Sequence, residues 1–393
     1  MMFSKKLTST FAEHRTPFYY YDIDLLEKTL QVLRKESDKF GFHVHYAFKA
    51  NCNDSVLQTI LRSGLGADCV SGGEVQKALD AGFPGSRIVF AGVGKTDEEI
   101  ELGIDASIFC FNCESVPELQ IIQEIAERKG KKVDVALRIN PNVNANTHKY
   151  ITTGLEENKF GISISQLPDV LEVLAECANL RLAGIHFHIG SQITDLTSFR
   201  NLCTRINEIQ QWFRSRNISL EHINVGGGLG VDYYAPDEKP IAEFAAYFSL
   251  FNEFLDLNPG QQVHFELGRA IVAQCGSLIS KVLYVKNGLN TDFAIVDAGM
   301  TELIRPALYQ SYHKIENLSG QLRNDKLAYY DVVGPVCESS DCFGKRVELP
   351  STQRGDVFAI RTAGAYGEVM ASNYNLRGKV RSFTSADLLK EKA

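Results

Sequence analysis

The sequence lacks the features that mark a membrane-spanning or secreted chain. It contains no run of about 18 apolar residues, the length that a membrane-spanning helix needs. Its start, MMFSKKLTSTFAEHRTP, has no apolar core of the kind found in secretory signals. Basic runs are also missing, since 41 Lys and Arg are scattered among 48 Asp and Glu. We therefore expect a cytoplasmic protein that binds neither nucleic acid nor an anionic membrane.

The cysteines are too scattered for a disulfide framework. There are nine, an odd number for a chain of 393 residues, and they lie in apolar segments. Cys110 and Cys113 form a CxxC pair, but SIFCFNCES is typical of a buried strand and its end. A second Cys or His pair at zinc-ligand spacing is missing, so we expect reduced thiols and no metal. GxGxxG after the first strand and GxxxxGK[ST] are missing too, which weakens the dinucleotide and nucleoside-triphosphate hypotheses.

Between about residues 43 and 268 the sequence repeats one local pattern: a short apolar run, a polar or Gly-rich turn, then helical periodicity. The apolar runs are HVHYAFKAN (43–51), ADCVS (67–71), RIVFAG (87–92), SIFCF (107–111), DVALRIN (134–140), LAGIHFHIGS (182–191), HINVGGG (222–228) and VHFELGR (263–269). Eight strand–helix units in series predict a closed (β/α)₈ TIM-type barrel, an α/β fold, which we place at residues 24–272.

After about residue 270 the pattern changes to strands without long helices. CGSLISKVLYVKN, TDFAIVDAGM, KLAYYDVVGPVCES and GDVFAIRTAG are separated by polar turns. The early run TPFYYYD (16–22) precedes the first barrel helix and could add a strand to this later part. We predict a C-terminal mainly-β domain, sandwich-like or barrel-like, that takes in the N-terminal strand and comprises residues 1–23 and 273–393.

Residues that could take part in chemistry or bind a ligand fall at or just past the C-terminal ends of the predicted barrel strands, where this fold carries its active site. They are Lys49, Asp68, Arg138, His188, Gly226 to Gly228, and Glu266. A lysine in a partly desolvated barrel mouth loses proton affinity and becomes a nucleophilic amine that can react with an aldehyde. Lys49 is therefore the natural tether for pyridoxal 5′-phosphate (PLP), although a lone lysine is more often a solvated surface charge.

The segment VGGGLG (225–230) could hold the phosphate of such a cofactor, because glycine lets backbone N–H groups approach an anion closely. PLP chemistry also requires a carboxylate beside the pyridine nitrogen, and Glu266 is the candidate. Its alternative role is a salt bridge with Arg269. His188 would reach the barrel mouth and could stack on the cofactor ring, with Ser191 close enough to bond the phosphate.

Cys337 lies at a strand end in the later part of the chain, within GPVCESSDC, and is followed by Glu338 and Asp341. A buried cysteine is the usual interpretation. However, an acidic cluster is hard to bury without partners, and a thiol near a cationic amine substrate could donate a proton.

Arg305 and Tyr309 stand four residues apart in ELIRPALY. Such an arginine could simply be a loop residue in water. The functional alternative is that its guanidinium grips a carboxylate through two parallel hydrogen bonds, a geometry that lysine cannot reproduce.

Taken together, these segments resemble the alanine-racemase-type (fold type III) PLP-dependent decarboxylase family, and within it the diaminopimelate decarboxylases. The segments that carry the resemblance occur in the family's order: YAFKAN, RINPNVNANTHKYITTGLEENKFGI (138–162), HFHIGSQ, NVGGGLG, ELGR, DAGMTELIRPALY, GPVCESSD and AGAYGEVMASNYN (363–375). One departure is Leu267, which stands in ELGR where the family usually has Pro.

The resemblance implies roles for particular residues. The implied PLP contacts are Lys49, His188, Gly227, Gly228, Glu266, Gly268, Arg269 and Tyr366, to which we add Asp68 and Ser191. The implied substrate contacts are Arg269, Arg305, Tyr309, Glu338 and Tyr366. Cys337 matches the acid that protonates Cα, and Lys49, Cys337 and His188 form the expected catalytic set. The resemblance also implies a homodimer in which the segment around Cys337 reaches the neighbouring subunit's active site.

The implied reaction is the PLP-dependent decarboxylation of meso-2,6-diaminopimelate to L-lysine and CO₂, the last step of lysine biosynthesis. Three alternatives remain: a decarboxylase of ornithine, arginine or lysine, a racemase, or a non-catalytic PLP carrier. The first acts on substrates without a distal carboxylate, which the segment around Arg305 does not favour. A carrier would need Lys49 but not Cys337, Arg305 and Tyr366. The polar stretch 142–159 is long enough to act as a mobile lid.

Overall fold

The computed structural model describes residues 3–143 and 159–390. The predicted lid therefore lies almost entirely outside the described residues. The strands are β1 (Phe18–Tyr21), β2 (His43–Ala47), β3 (Gly66–Cys69), β4 (Ile88–Phe90), β5 (Cys110–Cys113), β6 (Val133–Arg138), β7 (Leu180–His186), β8 (His222–Asn224), β9 (Gln262–Leu267), β10 (Gly276–Asn287), β11 (Asp292–Val296), β12 (Ile315–Asn317), β13 (Leu327–Val333), β14 (Cys342–Pro350), β15 (Val357–Ile360) and β16 (Arg381–Thr384).

The helices are α1 (Lys5–Glu13), α2 (Ile23–Asp38), α3 (Asp54–Arg62), α4 (Gly72–Ala81), α5 (Asp97–Asp105), α6 (Val116–Arg128), α7 (Leu167–Glu176), α8 (Thr197–Arg214), α9 (Phe244–Phe254), α10 (Arg269–Val272), α11 (Arg305–Tyr309), α12 (Leu318–Arg323) and α13 (Ser385–Lys390). Short 3₁₀ turns lie at Phe48–Ala50, Gly85–Arg87, Ile164–Gln166, Glu368–Met370 and Tyr374–Leu376. In the part of the chain that the structure describes, no helix is both long and apolar enough to span a membrane.

The chain divides into two compact units. The β unit comprises Met1–Thr29, Val231–Ala242 and Arg269–Ala393, and the barrel unit comprises Leu30–Gly230 and Glu243–Gly268. The segment Val231–Ala242, which lies inside the sequence range predicted for the barrel, belongs to the β unit. The domain boundaries given from the sequence stay a prediction.

In the barrel unit, strands β2 to β9 pair in parallel and in sequence order, and β9 closes the cylinder by pairing with β2. The predicted (β/α)₈ barrel is thereby confirmed. Several helices begin directly at a serine or threonine that follows a strand, as when the Ser71 hydroxyl accepts from Glu74 N at the start of α4. After β3 and β5, such caps turn the chain back along the barrel wall directly at the strand end.

All eight predicted barrel runs differ in their bounds from the observed strands, and two of these differences concern backbone conformation or site residues. The run predicted at 107–111 forms a strand only at Cys110–Cys113, because Ser107 adopts a left-handed φ of 49° that ends extended structure there. The run predicted at 182–191 ends as a strand at His186. His188 and Ser191 therefore lie in the loop beyond β7 and not in the strand itself.

The β unit contains a mixed sheet in the order β12-β15-β10-β11-β13-β14. Strand β1 pairs antiparallel with β10 and parallel with β16, so the N-terminal strand joins this sheet as the sequence predicted. Helix α1 was not predicted. It begins with Ser4, whose hydroxyl accepts from Leu7 N at 3.2 Å, and it packs Phe11 against Phe18 at a ring-centroid distance of 5.8 Å.

Candidate active site

Lys49 lies in the 3₁₀ turn that follows β2, at the C-terminal end of the barrel. Its Nζ donates a hydrogen bond to Asp68 Oδ2 at 3.1 Å, and its side chain is 35% exposed while that of Asp68 is fully buried. Burial, reinforced by the charge of Glu266, raises the pKa of Asp68 to about 6, although Lys49 opposes the rise. Lys49 is thus held in an ion pair and is not a solvated surface charge.

Glu266 lies in β9 with its carboxylate buried inside the barrel. One oxygen, Oε1, accepts from Asn224 Nδ2 at 2.7 Å and from Asn112 Nδ2 at 3.0 Å. The other, Oε2, lies 3.1 Å from His186 Nε2. Burial favours the neutral acid, but the charge and hydrogen bond of His186, together with Lys49, outweigh it and hold the pKa of Glu266 below its usual range. The structure therefore keeps this carboxylate ionised.

The three glycines after β8 form a turn against the loop beyond β7. Gly226 and Gly228 have left-handed φ values of 69° and 107°. A Cβ on Gly227 would lie 1.9 Å from the carbonyl oxygen of Glu266, so a side chain does not fit there. Asn224 Oδ1 accepts from Gly226 N at 2.9 Å, which ties the turn to the same asparagine that contacts Glu266.

His188 packs against this glycine turn. Its Nδ1 accepts a hydrogen bond from Gly227 N at 3.3 Å, an arrangement that requires an unprotonated ring nitrogen. Burial, and next the charges of Lys49 and Arg138, lower the pKa of His188 well below its usual range. The ring is therefore neutral. A neutral ring is suited to stacking on another flat ring and is not suited to forming an ion pair.

Leu267 is the last residue of β9, and Gly268 follows it. A Cβ on Gly268 would lie 2.9 Å from the Cβ of Ala50, beside the turn that carries Lys49. Leu267 is buried and pairs with Tyr46 as the last residue of β9, so the strand continues where the family usually has Pro.

Arg138 also lies at a strand end, but it is buried in an ion pair with Glu114, with an Nη1–Oε1 distance of 2.8 Å. The same carboxylate accepts from Gly92 N at 3.1 Å and Gly161 N at 3.0 Å. These contacts link the loops that follow β4 and β6, so the role that the structure gives Arg138 is to fix loops.

In the β unit, Arg269 and Arg305 converge on the hydroxyl of Tyr233. Arg269 Nη1 donates to Tyr233 Oη at 2.5 Å and Arg305 Nη1 donates to it at 3.0 Å. The guanidinium of Arg269 also lies 4.9 Å from the ring centroid of Tyr366. Tyr309 ends α11, which begins at Arg305. Since Arg305 is only 5% exposed, the alternative of a solvated loop arginine is wrong.

Cys337 and Glu338 are both exposed, so the interpretation of Cys337 as a buried cysteine is wrong. Glu338 Oε1 accepts from the hydroxyl of Tyr374 at 3.1 Å. Asp341, in contrast, is buried and accepts from Met300 N at 2.6 Å and Val336 N at 2.7 Å. Asp341 thereby shapes the loop that presents the thiol and the carboxylate to solvent.

Comparison with known proteins identifies the family. Residues 24–273 match the family described as pyridoxal-dependent decarboxylase, pyridoxal binding domain. Over 376 residues, 95% of this chain and 97% of the other, the sequence is 56% identical to a diaminopimelate decarboxylase of Bacteroides thetaiotaomicron. The chain belongs to the diaminopimelate decarboxylases.

Two further diaminopimelate decarboxylases support this membership. The enzyme of Vibrio cholerae is 42% identical over 94% of this chain and 87% of its own length. The crystal structure of the Helicobacter pylori enzyme complexed with L-lysine superposes with a TM-score of 0.89 at 40% identity, covering 96% of this chain and 93% of that one. The predicted fold, family and PLP-dependent decarboxylase activity are confirmed.

Four residues of this diaminopimelate decarboxylase that contact predicted site residues were not singled out from the sequence: His186, Asn112, Asn224 and Tyr233. His186 belongs to HFHIGSQ, where only the second histidine was assigned a role. Its contact with Glu266 spans 80 residues of sequence, and that of Tyr233 with Arg305 spans 72. For His186, Asn112 and Asn224, only their place in or at the end of a barrel strand could have indicated them, whereas Tyr233 lies well beyond β8 and carries no such signal.

Proposed function

We propose that this chain removes CO₂ from one end of meso-2,6-diaminopimelate and releases L-lysine, with PLP as its cofactor. The observation that carries the proposal is the pairing of Lys49 with Asp68 near an ionised Glu266, at the end of the barrel where this fold carries its active site. Family membership supports the same activity.

The residues of the barrel fit PLP. Gly226 to Gly228 form a turn without side chains, in which Gly226 and Gly228 have left-handed φ values, and such a backbone can present N–H groups to an anion. Asp68 Oδ1 is buried and has no hydrogen-bond partner among the described residues, so an acceptor is left for a further group. Lys49 would hold the aldehyde carbon, His188 the ring face, and Glu266 the pyridine nitrogen. Ser191 and the backbone of Gly227 and Gly228 would hold the phosphate, for which Gly227 N would give up its 3.3 Å contact with His188 Nδ1.

When bound, PLP supplies a protonated ring that withdraws the electrons left on Cα as the carboxylate departs. Glu266 would serve this chemistry by holding a proton at the pyridine nitrogen, and His186 with Lys49 would keep Glu266 ionised for that task. Asn112 and Asn224 hold its Oε1 by hydrogen bonds. Lys49 would provide the amine through which the cofactor is attached. The exposed thiol of Cys337 delivers a proton to Cα after CO₂ has left.

The substrate carries an amino acid group at each end. To bind the unreacted end, the protein needs a cation for its carboxylate and a hydrogen-bond acceptor for its ammonium group. Arg269 and Arg305 supply the first, since a guanidinium can bind a carboxylate through two parallel hydrogen bonds. Glu338 supplies the second. Tyr309 and Tyr366 belong to the same proposed substrate set, and the contact of the Tyr366 ring with Arg269 supports this.

We also propose a cytoplasmic homodimer in which the segment around Cys337 acts in the neighbouring subunit's active site. The exposure of Cys337 and Glu338 supports this arrangement. Lys49→Ala and Cys337→Ala homodimers should each be inactive, while unfolding and refolding them together should restore part of the activity. Persistent inactivity of the mixture would rule out the sharing of sites.

Release of CO₂ from individual amino acids tests the proposed function. The purified, PLP-loaded protein should release CO₂ from meso-diaminopimelate and form L-lysine in equal amount. We expect little release from ornithine, arginine or lysine, because none of them offers a distal carboxylate to Arg269 and Arg305. Comparable rates with lysine or ornithine would overturn the assigned substrate, and racemisation without CO₂ would overturn the reaction.

A further inference from the structure

Tyr233 occupies a central place in the arginine pair of the β unit. Its hydroxyl oxygen accepts from Arg269 Nη1 at 2.5 Å and Arg305 Nη1 at 3.0 Å. The ring is buried and meets the ring of His313 edge to face, with a centroid distance of 5.2 Å and an interplanar angle of 88°. Packing thus fixes the ring, and the fixed hydroxyl sets the position of both guanidiniums.

Arg305 carries a buried charge with little compensation. Its other contacts are with neutral oxygens, the carbonyl of Ala365 at 3.3 Å and the hydroxyl of Ser311 at 3.2 Å. Its Nε is buried without a hydrogen-bond partner among the described residues. Burial lowers the pKa of this guanidinium. Burying a cation that has an unused donor costs free energy. An anion that binds there therefore gains more binding free energy than it would beside an arginine that is already neutralised.

A tyrosine suits this place better than a carboxylate. An aspartate or glutamate between the two arginines would neutralise one charge and compete with any carboxylate that binds. The phenol accepts both N–H groups and remains uncharged in its protonated form. Burial would raise the pKa of Tyr233, but Arg269 and Arg305 outweigh it and the pKa is lowered, which shows that the oxygen lies in a strongly positive field.

We infer that Tyr233 is a positioning residue that holds Arg269 and Arg305 as one carboxylate-binding pair, and so sets the preference for ligands with a distal carboxylate. The inference rests on the proposed function for the identity of that ligand. Tyr233 lies outside the predicted substrate set, and its hydroxyl is a neutral acceptor between the cations Arg269 and Arg305.

The test compares Tyr233→Phe with Tyr247→Phe in the holoenzyme. Tyr247 is also a buried tyrosine, but its hydroxyl has no hydrogen-bond partner among the described residues, so it is a matched control. The ligands are L-lysine, which keeps the carboxylate of the unreacted end, and 1,5-diaminopentane, which lacks it. Titration calorimetry gives both dissociation constants, and steady-state assays give KM and kcat for diaminopimelate.

For Tyr233→Phe we expect the Kd of L-lysine and the KM of diaminopimelate to rise about 10- to 100-fold, the range for losing hydrogen bonds to charged groups. The Kd of 1,5-diaminopentane and kcat should change less than about threefold, because those quantities do not depend on the carboxylate grip. Tyr247→Phe should bind both ligands as the wild type does.

Unchanged lysine binding by Tyr233→Phe would overturn the inference, and so would equal weakening of both ligands, which indicates a merely structural role. If Tyr233→Phe does not fold, Tyr233→Met, which also removes the acceptor oxygen, takes its place, and the same comparison of the two ligands applies with the same outcomes. Failure of the wild type to turn over diaminopimelate while it still prefers lysine to 1,5-diaminopentane would overturn the proposed function alone.

Discussion

At Glu266, burial and hydrogen bonding act on the pKa in opposite directions. Burial penalises the charged form, while the charge and hydrogen bond of His186, together with the charge of Lys49, favour it and prevail. Asn112 and Asn224 donate two further hydrogen bonds to the same carboxylate. An isolated buried carboxylate would take up a proton, whereas this one remains an anion. Its charge is therefore a property of the neighbours that the fold brings around it, and first of all of His186.

Replacing His186 tests this at the residue scale. His186→Phe removes the hydrogen bond and charge at Oε2, so the pKa of Glu266 should rise and the acid limb of the kcat/KM profile should move to higher pH. The sign follows because a group with a depressed pKa keeps its charge until the pH falls through that pKa. We expect kcat to fall about 10- to 100-fold near neutral pH.

The matched control is His186→Gln, whose amide can still donate to Glu266 and should keep the acid limb close to that of the wild type. The PLP absorption spectrum of each variant across the same pH range provides a readout that does not depend on turnover. An acid limb in His186→Phe that coincides with the wild type would show that His186 does not control the ionisation of Glu266.

At the scale of elements, the turn after β8 is fixed by close backbone contacts. Gly227→Ala would place a methyl group 1.9 Å from the Glu266 carbonyl, so either the turn or β9 must shift. We expect this variant to lose PLP on dialysis and to melt at a lower temperature than the wild type. Gly94→Ala is the control, because a Cβ at Gly94 meets no atom within 4 Å. Equal PLP retention by both variants would contradict the claim that close backbone packing at Gly227 is needed to bind PLP.

The sequence could predict elements well because each barrel strand is a local apolar run between turn residues, and the pairing order followed from the series of strand–helix units. Strand ends were harder to predict. Ser107 has a left-handed φ and β7 ends at His186, and neither backbone feature is visible in the residue types. Helix α1 was missed because its apolar residues are few and its fit depends on Phe18 from β1.

Contacts between distant residues were the least predictable part of the site. Lys49, Glu266 and Arg305 could be proposed from their residue types and positions, and the family resemblance added a substrate role for Arg269. The partners that tune them, His186 and Tyr233, are ordinary residues in the sequence and gain significance only when the fold brings them within hydrogen-bond distance. The roles of the individual site residues stay predictions until they are tested by substitution.

At the scale of the whole molecule, acid stability depends on histidines buried within the barrel strands. His45 Nδ1 lies 3.2 Å from the carbonyl oxygen of Arg87, and His45 Nε2 lies 2.8 Å from His264 Nδ1. With Nδ1 donating to the carbonyl, Nε2 of His45 must accept, so a proton added there breaks the contact. Burial lowers the pKa of both His45 and His222 to about 4.

These histidines predict a loss of stability on mild acidification. The unfolded chain takes up protons below about pH 6.5 whereas the folded barrel does not until about pH 4, so stability falls as the pH drops through this window. Between pH 7 and 5 the unfolding free energy should fall by roughly 1–2 kcal/mol per histidine, as measured by denaturant titration. His222→Phe, which keeps a ring beside Phe109, should reduce that dependence. An identical pH dependence in the variant would contradict this account.

The central claim is that Lys49, at the C-terminal end of the barrel, is the residue to which the cofactor is attached. Borohydride reduction of the yellow holoprotein followed by peptide mass mapping tests it most directly. The account predicts the mass of a reduced pyridoxyl phosphate group on the peptide that contains Lys49, and none on the peptide with Lys95, a buried lysine paired with Glu118. Modification of any other lysine, or a colourless protein that gains no mass after incubation with PLP and borohydride, would contradict it.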